Sequence, residues 1–296
     1  MFNFFVLFGF AGFMIYKFVN LFDNLRSTLL TQNPEFTMKL CVLASGSSGN
    51  CTFISTGTTR ILIDAGLSAK KTTERLAEIG ERVEELDAIC VTHEHGDHIA
   101  GLRVLQKKHG IAVYANAGTL DGIRSAKQGG AVECRQFTTG SKFEIGNLAL
   151  EPFSIPHDAY EPVGFVLRSG THAVGLATDV GIVTNLLREK LRECHVVVIE
   201  ANHDEELLHA AARPWSLKQR ILSNQGHLSN RASAGLIAEV AGEGLKHLFL
   251  AHLSADCNSP THARRTFETV LAKAGHDHVR VYLTRASGVS EILELE

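Results

Sequence analysis

From Met38 onward, short runs of apolar and β-branched residues alternate with longer stretches in which apolar positions recur every three or four residues. The first pattern spells buried strands and the second amphipathic helices. KLCVLAS, CTFIST and RILIDAG follow one another with only Gly, Ser and Thr between them, which predicts three close strands. LSAKKTTERLAEIG predicts a helix closed by Gly80, LDAICVT a buried strand, and HIAGLRVLQKKHG a single helix ending at Gly110. IAVYA is a strand with a short helix after it, and LALEPFSIP, PVGFVLRSG and HAVGLATD are consecutive strands. IVTNLLREKLREC is a helix and HVVVIEA a strand, and helical stretches then run to about Gly242. LKHLFLAH, THARRTFETVLAKAG and VRVYLT predict a strand, a helix and a last strand. With no repeat, linker or low-complexity block, the pattern is α/β, with two hairpin-rich sheet halves each covered by helices.

The pattern breaks at the N-terminus. Nine of the sixteen Phe precede residue 37, and Phe4–Phe22 is an apolar stretch of nineteen residues, interrupted by Lys17 and Asn20. That is long enough for a membrane span. There is no basic leader or small-residue cleavage site, which speaks against a secretory signal. Two readings stand. Residues 4–22 are a membrane contact, with Lys17, Arg26 and Lys39 keeping the rest in the cytoplasm, or translation starts at Met38. Either way 1–37 is an apolar extension and 38–296 the globular domain. The 296 residues suffice for one large domain or two small ones, and a net charge of −3 decides nothing about nucleic acid. Six cysteines without CxxC pairs, several in strand-like runs, read as reduced core thiols of a cytoplasmic protein.

The candidate chemistry begins at THEHGDHIAG, where His93, His95, Asp97 and His98 fall within six residues. In an extended loop His93 and His95 point the same way. Asp97 and His98 follow at a helix start, where the turn brings them back, so one loop can serve two ions. Imidazole and carboxylate suit Zn, Mn or Fe. A solvated histidine-rich loop is the competing reading, and four ligand-type side chains so close together weigh against it. The HExxH motif is excluded, because the i, i+4 histidine pair on one helix is missing. Asp64, His157, Asp179 and His252 each end a predicted strand, where loops converge on a site. SGSSGN (45–50) lacks the lysine of a nucleotide-binding loop and predicts a tight turn. His227, in NQGHLSN, precedes the amphipathic NRASAGLIAEVAG, with Ser229 or Asn230 as its cap; the plainer reading is that His227 itself caps that helix. In ARPWSLKQR, Arg213, Lys218 and Arg220 are candidate phosphate contacts and Trp215 a stacking platform, against the alternative of a solvated helix with Trp in the core.

The Thr-His-Xaa-His-Xaa-Asp-His motif resembles the signature of the metallo-β-lactamase-fold hydrolases. VLASGSSGNCTFI, IPHDAYEPVGF, ATDVG, VVIEANHD, PWSLKQRILSNQGHLSN and AHLSADCN resemble the YycJ (WalJ/VicX) branch, over about Met38 to Glu296. The resemblance implies an αββα sandwich, two mixed sheets flanked by helices. It implies that His93, His95 and His157 hold one metal and Asp97, His98 and His252 the other. Asp179 would bridge them, Asp64 would orient ligands from behind, and a hydroxide between the two ions, Zn or Mn, would be the nucleophile. In related tRNA-processing nucleases a histidine in an equivalent GH element works with a glutamate on the leaving group, which assigns His227 and Glu200. Asp97, His227 and Glu200 are the candidate catalytic residues.

The fold does not choose the bond that is cut. A bridging carboxylate and a full two-metal donor set suit displacement at phosphorus. The branch is associated with 5′-to-3′ exonuclease action on double-stranded DNA, which makes duplex DNA the expected substrate. The β-CASP domain of some relatives has no room between Asp179 and His252, and the arm with which others grip tRNA is not seen. The alternatives are a small-molecule hydrolase of the same fold, a cyclic phosphodiesterase or glyoxalase-II-like thioesterase, and a metal-bound regulatory module without turnover. The complete donor set argues against the last.

Overall fold

Among the described residues the apolar runs pair into two sheets of seven strands each. In the computed structural model residues 38–126 and 132–296 are described; the extension 1–37, with its candidate membrane contact 4–22, lies outside the described residues. Among the described residues no helix is long and apolar enough to cross a membrane. The first sheet holds β1 (Met38–Ala44), β2 (Cys51–Ser55), β3 (Arg60–Ile63), β4 (Ala88–Cys90), β5 (Ala112–Ala115) and β6 (Cys134–Gln136) side by side. The second runs β7 (Phe143–Ile145), β8 (Leu148–Ser154), β9 (Val163–Ser169), β10 (His172–Ala177), β11 (Val196–Glu200), β12 (His247–Ala251) and β13 (Arg280–Leu283). The last strand, β14 (Leu293–Leu295), returns to pair antiparallel with β1. In each sheet hairpins form one half and parallel strands the other: β3 to β6 are parallel, and so are β10 to β13.

Alternation along the strands sorts side chains into layers. Leu40, Val42, Ile61 and Ile63 point between the sheets, where they meet Leu150, Phe165, Leu176, Val196, Val198 and Phe249. Cys41, Leu43 and Leu62 point the other way, onto α1 (Ala69–Glu78) and α3 (Leu102–His109) through Leu76, Leu102 and Leu105. Val197, Ile199, Leu248 and Leu250 cover the outer face of the second sheet. There they meet α5 (Asn185–Arg192), α8 (Asn230–Val240) and α9 (Pro260–Lys273). The product is a four-layer αββα sandwich, built as the sequence pattern predicts.

Two details differ. The helix expected from His98 to Gly110 is two, α2 (Gly96–Ile99) and α3. The break falls where Gly101 N donates to Ala65 O at 2.8 Å, and a Cβ there would come within 2.1 Å of Leu67 O. The loop between β3 and α1 therefore presses on the chain and turns it. The strands β6, β7 and β14 were not expected; each has three residues. The short helix expected after β5 is α4 (Ala117–Ser125), and it docks on the loop after β8: Glu161 accepts from Gly118 N at 2.9 Å and, from the turn before β7, from Thr139 Oγ1 at 2.7 Å.

Candidate metal centre

Parallel strands end together, and their ends carry the polar residues. Asp64 follows β3, His93 follows β4, Asp179 follows β10, and His252 follows β12. Three of these have left-handed backbones: φ is 64° at Asp64, 60° at Asp179 and 53° at His252. They are the only non-glycine residues with positive φ among the described residues. Asp and His tolerate that region better than most side chains, yet it remains a strained conformation that clusters at functional sites. The turn lets each side chain leave the sheet plane and face inward.

The imidazoles are held from behind. His98 Nδ1 donates to Asp64 Oδ2 at 2.7 Å. Asp64 also accepts from Thr92 N at 2.8 Å and from Thr92 Oγ1 at 2.9 Å, and Thr92 Oγ1 lies 3.0 Å from His93 Nδ1. His95 Nε2 donates to Asp158 O at 3.2 Å, and His157 Nδ1 to Gly226 O at 3.3 Å. His252 Nδ1 donates to Glu200 Oε1 at 2.9 Å. Each of the five rings thus has one nitrogen engaged by an oxygen and turns the other toward the cluster, the arrangement in which ligand histidines are oriented.

The inward-facing nitrogens converge. His93 Nε2 and His157 Nε2 lie 3.1 and 3.3 Å from His95 Nδ1. Facing them, Asp97 Oδ2 lies 3.6 Å from His98 Nε2 and 3.8 Å from His252 Nε2. Asp179 stands between the groups: Oδ2 is 3.3 Å from His98 Nε2, and Oδ1 is 3.9 Å from His157 Nε2. Asp179 Oδ2 and His252 Nε2 are buried and have no hydrogen-bond partner among the described residues. Orphaned donors and acceptors of this kind are costly unless something binds them, and a borderline-soft divalent cation fits these nitrogens and oxygens. His93, His95 and His157 form one compact donor group, and His93, His98 and Asp179 a second.

Burial and charge set the protonation of these groups. Burial, helped by the neighbouring His98, holds His93 well below the usual histidine range. Burial disfavours charge on His98 too, but Asp64 and Asp179 outweigh it and raise its pKa. His252 is pushed up to about 10: burial opposes this, while Asp179, Asp97 and Glu200 favour the charged ring.

Glu200, the last residue of β11, is fully buried. It accepts from Val180 N at 2.9 Å and Leu228 N at 3.2 Å, and from His227 Nδ1 at 2.8 Å. His227 is a fifth of the way exposed and does not cap α8; Ser229 does, accepting from Ala232 N. Burial pushes Glu200 up, but His227 and His252 together bring it down to about 2. The same carboxylate outweighs burial at His227 and raises its pKa. Asp179, Glu200, His227 and His252 also fall within donor distance of one another; both Nδ1 atoms in that group already meet Glu200 Oε1.

Of the basic residues expected on the surface, Lys218 is a correction. It is buried, and its Nζ donates to His209 O at 2.6 Å, closing the end of α6 (Glu205–Ala210) rather than meeting a ligand. Arg213 pairs with Asp256 and Arg220 with Asp158, both at 2.6 Å, and both line a cavity beside His227. Trp215, at the start of α7 (Trp215–Ile221), is 58% exposed, so it is not a core residue. Sequence reasoning missed Asn50, whose Nδ2 lies 3.1 Å from Asp97 Oδ2 and 3.0 Å from His98 Nε2. It also missed the task of Thr92, which ties Asp64 to His93. The Gly/Ser turn ending at Asn50 was the available signal for the first, and the Thr that opens the histidine motif for the second.

A four-layer αββα sandwich with histidines and aspartates gathered at its strand ends defines a class, the metallo-hydrolases. The family model of the β-lactamase superfamily domain matches residues 59–252. The exodeoxyribonuclease WalJ of Streptococcus pneumoniae is 40% identical over 243 residues, 81% of this chain and 90% of that protein. The exodeoxyribonuclease YycJ of Bacillus anthracis is 37% identical over 237 residues, 79% and 89%. Among solved structures, the metallo-β-lactamase-fold protein YhfI of Bacillus subtilis superposes with a TM-score of 0.67 at 16% identity, over 88% of this chain and all of that one; it shares the fold. The chain belongs to the β-lactamase superfamily and, within it, to the family of WalJ and YycJ. It is a metal-dependent hydrolase.

Proposed function

We propose that this chain is a two-metal exodeoxyribonuclease that digests duplex DNA from the 5′ end. The observation that carries the reading is His227, a histidine beside the metal-ligand cluster whose Nδ1 is taken by Glu200 Oε1, the same oxygen that holds His252. The relatives WalJ and YycJ, both exodeoxyribonucleases by name, supply the substrate class.

In this reading His93, His95 and His157 would hold one ion and Asp97, His98 and His252 the second, with Asp179 shared between them. Zinc or manganese bound there would supply Lewis acidity and lower the pKa of water for displacement at phosphorus. Asp64 fixes the ring of His98 and Glu200 that of His252. Of the two ligand carboxylates Asp97 is the more open to solvent, at 24% exposure. His227, its charged form favoured by Glu200, gives its proton to the departing oxygen; the ligand histidines have no ring nitrogen left for that task. Arg213 and Arg220 meet phosphates, and Trp215 offers a ring for stacking. Residues 38–296 are the catalytic unit and 4–22 a candidate membrane contact. The cytoplasm is the place of action, which the six unpaired cysteines suit.

The test is a substrate panel with the protein loaded with Mn²⁺ or Zn²⁺: linear duplex DNA labelled at either end, a chromogenic phosphodiester, and S-lactoylglutathione. Mononucleotides released from the 5′ end are the expected result. Turnover of S-lactoylglutathione with DNA left intact overturns it in favour of a thioesterase.

A further inference from the structure

His227 is one wall of a cavity of about 180 Å³ beside the metal-ligand cluster. Its Nδ1 is committed to Glu200, so the other ring nitrogen is the one free to act there. The rest of the lining is rich in hydrogen-bond donors: Ser47, Asn202, Arg213, Arg220 and Ser254. Asn202 is itself fixed, its Nδ2 donating to His252 O at 3.0 Å. Arg213 uses Nη2 on Asp256 Oδ2 and Arg220 uses Nε on Asp158 Oδ2, each at 2.6 Å. A guanidinium has five N–H groups, so each arginine is held in place with hydrogens to spare. Among the described residues Asp158 is the one carboxylate on the wall, and Arg220 already meets it. Two anchored arginines, an amide and two hydroxyls in a small space select a compact anion with several acceptor oxygens.

We propose that this cavity is a subsite for a terminal phosphate monoester, so that a 5′-phosphorylated DNA end is taken in preference to a 5′-hydroxyl end. The inference rests on the exonuclease reading above. In 5′-to-3′ digestion that releases 5′-mononucleotides, water adds to phosphorus and the P–O3′ bond breaks. The proton from His227 goes to O3′, which belongs to the terminal nucleotide. That nucleotide therefore lies on the His227 side, and its own 5′ phosphate is one sugar further on, where the arginines are.

The test compares two duplexes that differ only in a 5′ phosphate or a 5′ hydroxyl, with a chromogenic phosphodiester as a measure of the metal centre. The expected rate ratio in the natural chain is roughly ten or more in favour of the phosphate, the scale of one charge-assisted hydrogen bond. Arg213→Gln and Arg220→Gln should each bring the ratio toward one. The same preference should appear in fluorescence anisotropy of the labelled duplexes on the metal-stripped protein, where nothing is cut. Equal digestion of both ends overturns the subsite and leaves the exonuclease reading intact. A preference that survives both substitutions puts the phosphate elsewhere and overturns this cavity. Hydrolysis of the chromogenic diester with no digestion of either duplex overturns the exonuclease reading and the subsite with it.

Discussion

His227 and His252 share one oxygen: Glu200 Oε1 lies 2.8 Å from the Nδ1 of the first and 2.9 Å from the Nδ1 of the second. One carboxylate therefore links a metal-ligand candidate to the proton donor proposed beside it. The two histidines should separate cleanly on substitution. His227→Ala should keep its metal and lose about 10²–10⁴ in the rate of DNA hydrolysis, the span of general acid help. A diester with a nitrophenolate leaving group needs no such proton and should be far less affected. Metal analysis beside the two assays checks this; loss of metal in the variant would make His227 a ligand.

Glu200→Gln should damage both functions. The amide holds the two rings less well and no longer favours their charged forms, so metal affinity should fall by about 10–100-fold along with the rate. Competition with a chromogenic chelator measures the first effect independently of catalysis.

Asp179→Ala should lower the metal content from two per chain toward one or none, because the side chain reaches both donor groups. Elemental analysis of the purified variant decides it: full occupancy would remove Asp179 from the bridging position.

Metal loading near pH 7 should release protons. In the metal-free protein His98 is raised and His252 sits at about 10, each favoured by the carboxylates around it against the effect of burial. An ion must displace those protons, which calorimetry in buffers of different ionisation enthalpy detects. The folded pKa of His252 lies above its ordinary value of 6.5. Its contribution is therefore complete below that pH and is lost as pH rises toward about 10. The melting temperature of chelator-treated protein should fall across this window.

Gly66→Ala should disrupt the fold and the site together. A Cβ there would lie 1.6 Å from Asp97 O and 2.6 Å from Asn50 N. The turn bearing Asp97 and His98 must move, at a cost of at least about 1–3 kcal/mol. A lower melting temperature with reduced metal content is expected.

Much of this was legible in the sequence because strand burial and ligand chemistry both leave local marks. The runs around Leu40, Leu62 and Val197 are apolar on both faces, as layers covered on both sides require. The histidine motif stands out because polar residues so close after a buried strand need a reason. What was not legible depends on distant contacts. Leu293–Leu295 becomes a strand only because β1 offers it an edge, and three residues carry no periodicity. The break at Gly101 comes from the carbonyls of Ala65 and Leu67, far back along the chain. Lys218 looked like surface charge, and only its position against the end of α6 shows it spent on His209 O. Asn50 is one polar residue in a turn full of them until Asp97 is placed beside it.

The left-handed turns at Asp64, Asp179 and His252 have a consequence for how metal and fold depend on each other. Such turns cost about 1–2 kcal/mol each in an ordinary residue, and here the two sheets enforce them through the strands that end there. The donors are aimed by the scaffold before any ion arrives. In a zinc finger the ion assembles its own ligands, and a chelator unfolds the domain. Here a chelator should leave the sandwich standing, with its far-ultraviolet circular dichroism unchanged, and restored metal should find its seats without a refolding step.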